Sequence, residues 1–230
     1  MIFVTGDTHI PIDISKLNTT NFPQQRCLTR DDYVIVLGDF GLLWRKDKTY
    51  EHWLKWLEAK PFTVCFIDGN HENHEWLRSI PTTKWRGGRI RRIGKNIIHL
   101  DRGSIFDFNG KYFFVMGGAA SVDRESRIEG ISWWPQEVPS YAESEKALRN
   151  IERHHANGLR IDYVLTHTCP TEVIRPMFDV RPMDDPTTKL LSSVNALVAE
   201  EMAGWYLGHW HVDADCGKYH CLYQTVLQIC

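Results

Sequence analysis

The chain has 230 residues, 43% hydrophobic and 24% charged, which excludes disorder over most of its length and leaves room for one sizeable core. A formal net charge of −2 excludes a strong overall field for polyanions, so composition gives no support to extended nonspecific nucleic-acid binding. The first apolar run is short, has no basic region before it and ends in a charged motif, and no stretch approaches the ~20 apolar residues of a membrane helix. Neither a secretory leader nor a membrane partner is therefore expected, and the cytoplasm is the expected compartment.

Met1–Thr5 is an apolar run of strand length ending in Gly6-Asp7, and Tyr33–Leu37 is a second ending in Gly38-Asp39. Lys48–Lys60 carries Trp53, Trp56 and Leu57 at helical spacing and stops before Pro61, which cannot continue a helix. Phe62–Ile67 reads as a strand leading to Asp68-Gly69-Asn70, and Glu72–Ile80 as a short helix closed by Pro81. From Arg89 to Gly118 the pattern alternates and turns, with Asn109-Gly110 signalling a hairpin between Ser104–Phe108 and Lys111–Met116. Ser140-Tyr141-Ala142-Glu143 is a capping box that opens a helix running to about His155. Ile161–Thr166 is a strand that ends at His167. Thr187–Met202, behind Pro186, is a helix with Leu190, Leu191, Val194, Leu197 and Val198 on one side. Trp205–Leu207 runs into Gly208-His209, and a closing hairpin turns at Cys216-Gly217-Lys218 and returns through Tyr219 to Leu227. With no internal repeat and no dividing linker, the pattern predicts one α/β domain over 1–230, built on two packed sheets.

The six cysteines, Cys27, Cys65, Cys169, Cys216, Cys221 and Cys230, contain no C-x-x-C pair. Cys216 and Cys221 could approach across the closing hairpin, where a disulfide or a metal clip is conceivable. Reduced thiols are the expectation.

One event recurs along the chain: a strand ends, a turn follows, and a metal-ligating residue type sits there. Asp7-Thr8-His9 places two ligands two residues apart, so extended backbone projects both to one side. His209-Trp210-His211 repeats that spacing. Asp39 offers a carboxylate able to bridge two cations, Asn70 a neutral oxygen, and His71 and His167 further imidazoles. In open α/β sheets, sites gather at the carboxyl ends of strands.

This ordered set resembles the calcineurin-like metallophosphoesterase superfamily, whose blocks appear here as Asp7-x-His9, Gly38-Asp39-Phe40-Gly41, Gly69-Asn70-His71-Glu72, His167 and Gly208-His209-x-His211. The resemblance implies two facing mixed sheets flanked by helices. It also implies that Asp7, His9 and His211 hold one divalent metal ion, that Asn70, His167 and His209 hold a second, and that Asp39 bridges them. His71 would stay outside the metal shell as the general acid at the leaving group, and a metal-bridging hydroxide would be the nucleophile. Mixed nitrogen and oxygen ligands suit Mn, Fe, Zn or similar ions. The second block lacks the Asp-Arg that follows in the superfamily's phosphoprotein phosphatases, which points away from that activity. The acidic partner that often orients the catalytic histidine is not identified, and Glu72 need not reach it.

Other residues carry two readings each. The small-residue run Gly117–Val122 with Asp123-Arg124 is either a loop beside the site, with Arg124 or Arg127 on substrate phosphate, or a solvated connection. Trp44 either stacks on a planar substrate group or packs at the rim. Trp133-Trp134 is expected to pack rather than to wall a pocket, and His154-His155 to meet a helix dipole. His74, close to His71, carries a minor substrate reading. Arg89, Arg91 and Arg92 serve either strand contacts or a solvated edge. The leading functional expectation is hydrolysis of a small-molecule or nucleotide phosphomonoester or phosphodiester. A nuclease acting on DNA or RNA is the alternative, and a metal-binding scaffold that has lost catalysis is a third reading.

Overall fold

The computed structural model describes residues 1–230. Seven strands form one mixed sheet: β1 (Ile2–Thr5), β2 (Tyr33–Leu37), β3 (Thr63–Ile67), β4 (Thr82–Trp85), β5 (Gly88–Arg92), β6 (Ile97–Leu100) and, from the far end of the chain, Val226–Gln228. The second mixed sheet holds six: β7 (Ser104–Phe108), β8 (Lys111–Met116), β9 (Tyr163–Thr166), β10 (Gly204–Leu207), β11 (Ala214–Cys216) and β12 (Tyr219–Cys221). Val226–Gln228 is then β13, antiparallel to β1. Strands β1, β2, β3 and β6 run parallel, as do β8, β9, β10 and β12.

The two-residue period of the strands sorts their side chains between faces. Ile35, Leu37, Cys65 and Ile67 of the first sheet meet Phe106, Phe113, Val115 and Leu165 of the second in a shared inner core. Val34, Val36, Val64 and Phe66 face the other way, under α1 (Lys48–Glu58) and α2 (His74–Ser79). On the second sheet, Phe114, Met116, Val164, Trp205 and Leu207 face α3 (Tyr141–Ala156), α4 (Thr171–Phe178) and α5 (Pro186–Val198). Both faces of each central strand are covered, which is why those runs are continuously apolar. No helix is long and apolar enough to cross a membrane.

Local chemistry sets the helix ends. Asp47 accepts from the Thr49 and Tyr50 amides to start α1, and Ser140 with Glu143 forms the capping box of α3. Asn73 accepts from the Trp76 amide, so α2 begins at His74 and not at Glu72 as the periodicity suggests. Helix α5 stops at Val198, short of Met202. Helix α4 escapes the sequence pattern because it is short and contains Pro176. Strand β4 escapes it because Thr82, Thr83 and Lys84 are polar and partly exposed.

The hairpin at Asn109-Gly110 forms as expected, both residues at positive φ (59° and 81°). The closing hairpin needs correction. Its return strand is β12 alone, and the chain then leaves for the first sheet, where β13 pairs with β1. Cys216 lies opposite Tyr219, Cys221 lies opposite Ala214, and all six cysteines are free. Arg89, Arg91 and Arg92 lie on β5, inside the sheet edge made by β4. Arg91 pairs with Asp101.

Ile35 is fully buried between the sheets at the centre of β2. Ile35→Ala is expected to cost about 2–5 kcal/mol in urea unfolding. A loss under about 1 kcal/mol would show that this inner core is not what holds the sheets together.

Candidate metal centre

The parallel strands of both sheets end at one edge, and hydrogen bonds lock the turns there to one another. The Thr8 and His9 amides donate to the Asp39 carbonyl at 3.1 and 2.8 Å, tying the turn after β1 to the turn after β2. The Gly208 amide donates to the His167 carbonyl at 3.0 Å, doing the same for β10 and β9. The sheets join where the His209 amide donates to Asp7 Oδ1 at 2.9 Å and His167 Nδ1–H donates to the Leu37 carbonyl at 2.7 Å. A side chain at Gly38 would put its Cβ 2.1 Å from His167 Nδ1, and one at Gly208 would put its Cβ 2.3 Å from Asp7 Oδ1. Glycine at these two turns is therefore a condition for the approach of the sheets.

Ligand atoms of Asp7, His9, Asp39 and His211 all lie within 4.8 Å of one another. His9 Nε2 is 3.3 Å from Asp39 Oδ2, and His211 Nε2 is 3.0 Å from Asp7 Oδ2. That second contact lacks hydrogen-bond geometry, so Asp7 Oδ2 is a buried oxygen with no hydrogen-bond partner. On the other side of Asp39, His167 Nε2 lies 3.4 Å from Asp39 Oδ1 and 3.0 Å from Asn70 Oδ1. His209 packs edge-on to His167, ring centroids 4.9 Å apart. Because a carbonyl only accepts, His167 Nδ1 carries a proton, and Nε2 is the nitrogen aimed at the two oxygens. All seven residues expected to bind metal are thus gathered around the Asp39 carboxylate.

Four of them, His9, Asp39, His209 and His211, adopt positive φ (34°, 47°, 71° and 50°). Such backbone costs about 1–3 kcal/mol per residue and concentrates where side chains must be aimed. The electrostatics agree. Burial pulls the His9 and His167 pKa values down, but the charge and hydrogen bonds of Asp39, with Asp7, raise them to about 9 and about 10. Burial pushes the Asp39 carboxyl up, and His167 and His9 hold it well below the usual carboxylate range. Burial, with His167 beside it, lowers His209 to about 4. The cluster therefore attracts positive charge. An orphaned carboxylate oxygen and imidazoles with aimed nitrogens fit divalent cations.

A family model for calcineurin-like phosphoesterases matches residues 1–213. The chain belongs to the calcineurin-like phosphoesterase family. Comparison with the curated proteins finds no significant match. Membership implies a phosphoester hydrolase of a family that typically binds divalent metals, and the His/Asp cluster of this phosphoesterase can hold one.

Several residues that support the cluster carry no signal in the sequence pattern. Asp13 lies 2.9 Å from His9 Nδ1 and accepts from the Tyr223 hydroxyl at 3.1 Å, while the Tyr223 ring stacks on His211 at 4.9 Å. Lys16, buried, donates to the Asp7 carbonyl at 2.6 Å and also to the Tyr223 carbonyl. Asn70 is oriented through its amide, which donates to Ser121 Oγ at 3.1 Å; Ser121 in turn donates to the buried Glu137 at 2.6 Å. Arg102 closes the ring by donating to Asp68 at 2.8 Å and to the Glu137 carbonyl at 3.0 Å. The small-residue run after β8 is thus the loop that sets Asn70.

A cavity of about 470 Å³ opens beside the cluster, lined by Asp39, Asn70, His71, His209 and His211 together with Arg127. The Arg127 guanidinium lies 2.9 and 3.1 Å from the two ring nitrogens of His71 and is held by Asp123 at 2.7 Å. A neutral imidazole has one lone pair, so one of those contacts is a hydrogen bond and the other is packing. Burial lowers the His71 pKa; Asp39 opposes the fall and Arg127 adds to it. No carboxylate orients the His71 ring. Its backbone amide donates to Asp39 at 2.7 Å. Glu72 turns away to accept from the Phe40 amide at 2.7 Å, its pKa raised to about 8 by burial and by Asp39.

Arg124 does not line the cavity; it is exposed on the short helical turn Arg124–Ser126. Trp44 lines a separate small cleft with Ile10 and Pro11, and its ring meets that of buried Trp134 edge-on at 5.4 Å. His155 pairs with Glu201 at the end of α3. His74 is buried away from the cavity, 3.8 Å from Asp68, which His99 also approaches at 3.0 Å.

Burial lowers the His74 pKa from 6.5 to about 3; Asp68 opposes the fall, and Arg102 and Arg78 add to it. Between those values the unfolded chain holds the proton and the folded chain does not, so stability falls as pH drops through that window. His74→Gln is expected to make unfolding free energy measurably less steep between pH 6 and 4. An unchanged slope in urea titrations of metal-stripped protein would show that His74 is already protonated in the fold.

Proposed function

We propose that this phosphoesterase hydrolyses a small-molecule or nucleotide phosphoester at a centre for two divalent cations. Asp7, His9 and His211 would hold one ion, Asn70, His167 and His209 the other, with Asp39 shared. The observation that carries the reading is the convergence of donor atoms from three separate stretches of chain within 4.8 Å, one carboxylate oxygen among them having no hydrogen-bond partner. Two such ions supply a water of lowered pKa and neutralise charge on phosphoryl oxygens.

The protein's own groups do the rest. Arg127 lines the cavity next to His71, where a guanidinium can grip a phosphoryl oxygen and take the place of the arginine missing from the Asp39 block. His71 stands at the same wall as the proton donor to the leaving oxygen. Burial lowers its pKa, and an arriving phosphoester anion would favour the imidazolium that donation needs. The Asp39 carboxylate accepts from the His71 amide, which ties it to the turn before α2.

The nuclease reading has one observation in its favour, a surface groove lined by Lys84, Arg86, Arg89, Lys146 and Arg153. None of its lining residues also lines the cavity at the cluster, so it would not lead a strand to the metals.

Metal analysis of the purified protein, joined to a hydrolysis panel of monoesters, linear and cyclic diesters and oligonucleotides in manganese, tests the proposal. Turnover of at least one small phosphoester is expected, abolished in Asp39→Asn; no turnover of any member by metal-loaded protein would sink it. His71→Ala is expected to lose a factor of about 10²–10⁴ in kcat with metal content retained. Loss of the metals in that variant would make His71 a ligand instead.

A further inference from the structure

The cavity beside the cluster is lined by two chemically different sets of side chains. Asp39, Asn70, His71, His209 and His211 form one. Val122, Val180 and Met183, with relative exposures of 73%, 42% and 58%, belong to the other, and Arg181 and Asp185 share the lining with them. Ile174 and Trp210 complete this apolar wall. Trp210 is backed by Phe178, with ring centroids 4.2 Å apart and planes within 14°, so the indole is braced from behind. Large apolar side chains left in water around one opening mark a place where something apolar is received. The occupant follows from continuity: the same space holds the groups assigned to the phosphoryl centre, and Arg127 stands with them. At about 470 Å³ the cavity has the volume of an ordinary small-molecule site.

On the phosphoesterase reading given above, we infer that the wall formed by Val122, Ile174, Val180, Met183 and Trp210 receives the organic arm of the substrate, and that this arm is aromatic or otherwise apolar. A bare polyol or short alkyl phosphate would leave the wall in water. The phosphoryl group then sits at the histidines, with Arg127 beside it, and the arm extends toward Met183.

Phosphonates test this without turnover, because their P–C bond is not hydrolysed. 2-Phenylethylphosphonate and ethylphosphonate differ only by a ring, and calorimetric titration of each into manganese-loaded protein reads what the ring contributes. The phenylethyl compound is expected to bind at least about ten-fold more tightly, from the apolar area it buries. In the double variant Val122→Ser/Met183→Ser the ratio should fall to within about two-fold, with ethylphosphonate affinity and metal content unchanged. Both positions are exposed, so the variant should fold. Equal affinities in the parent protein, or a ratio that survives the double variant, would overturn the assignment and leave the phosphoesterase reading intact. Binding of neither phosphonate by metal-loaded protein would overturn both.

Discussion

The structure depends on keeping two carboxylates, Asp7 and Asp39, out of water at the meeting line of two sheets. Withdrawing such groups from solvent is costly unless hydrogen bonds and opposite charge replace the lost water. Backbone amides supply part of the replacement: His71 to Asp39 and His209 to Asp7. Imidazoles supply another part, and the raised pKa values of His9 and His167 record how strongly the site draws positive charge. One Asp7 oxygen is left over. A site built this way is most stable when a cation completes it, so fold stability and metal binding are linked.

Aim matters as much as charge. Asn70 is held by Ser121, Ser121 by Glu137, the Glu137 carbonyl by Arg102, and Arg102 by the Asp68 that lies two residues before Asn70. This closed circuit of buried polar groups joins the turn after β3 to the loop after β8. Apart from Arg102 Nη1, which has no hydrogen-bond partner, the members satisfy one another. The strained backbone at His9, Asp39, His209 and His211 is held in place by such surroundings. Beside this network lies the wall around Val122 and Met183, where side chains remain in solvent.

The sequence was most legible where local and global demands coincide. Apolar runs covered on both faces became β1, β2, β3, β9 and β10, and the ligand residue types at their ends came together because parallel strands deliver their carboxyl ends to one edge. The Asn109-Gly110 turn and the Ser140 capping box were legible because each has a strict local chemistry. What stayed hidden depends on long-range packing. Polar β4 forms because β5 pairs with it, and β13 changes sheets because β1 has a free edge. Lys16, Asp13 and Arg102 are ordinary residue types in no motif, and only the folded chain brings them under the ligands; Ser121 was legible only as part of a small-residue loop. Arg127 lines the cavity while Arg124, three residues earlier, is exposed, and no local pattern separates the two.

The buried carboxylates and imidazoles form a cluster that can hold a divalent cation, and the proposal is that it holds two. Calorimetric titration of manganese into metal-stripped protein near pH 7, repeated in two buffers of different ionisation enthalpy, measures ions bound and protons released together. Two ions per chain and net proton release, as His9 and His167 give up their extra protons, are expected on that proposal. Binding of a single ion, or of ions with no proton release, would contradict it.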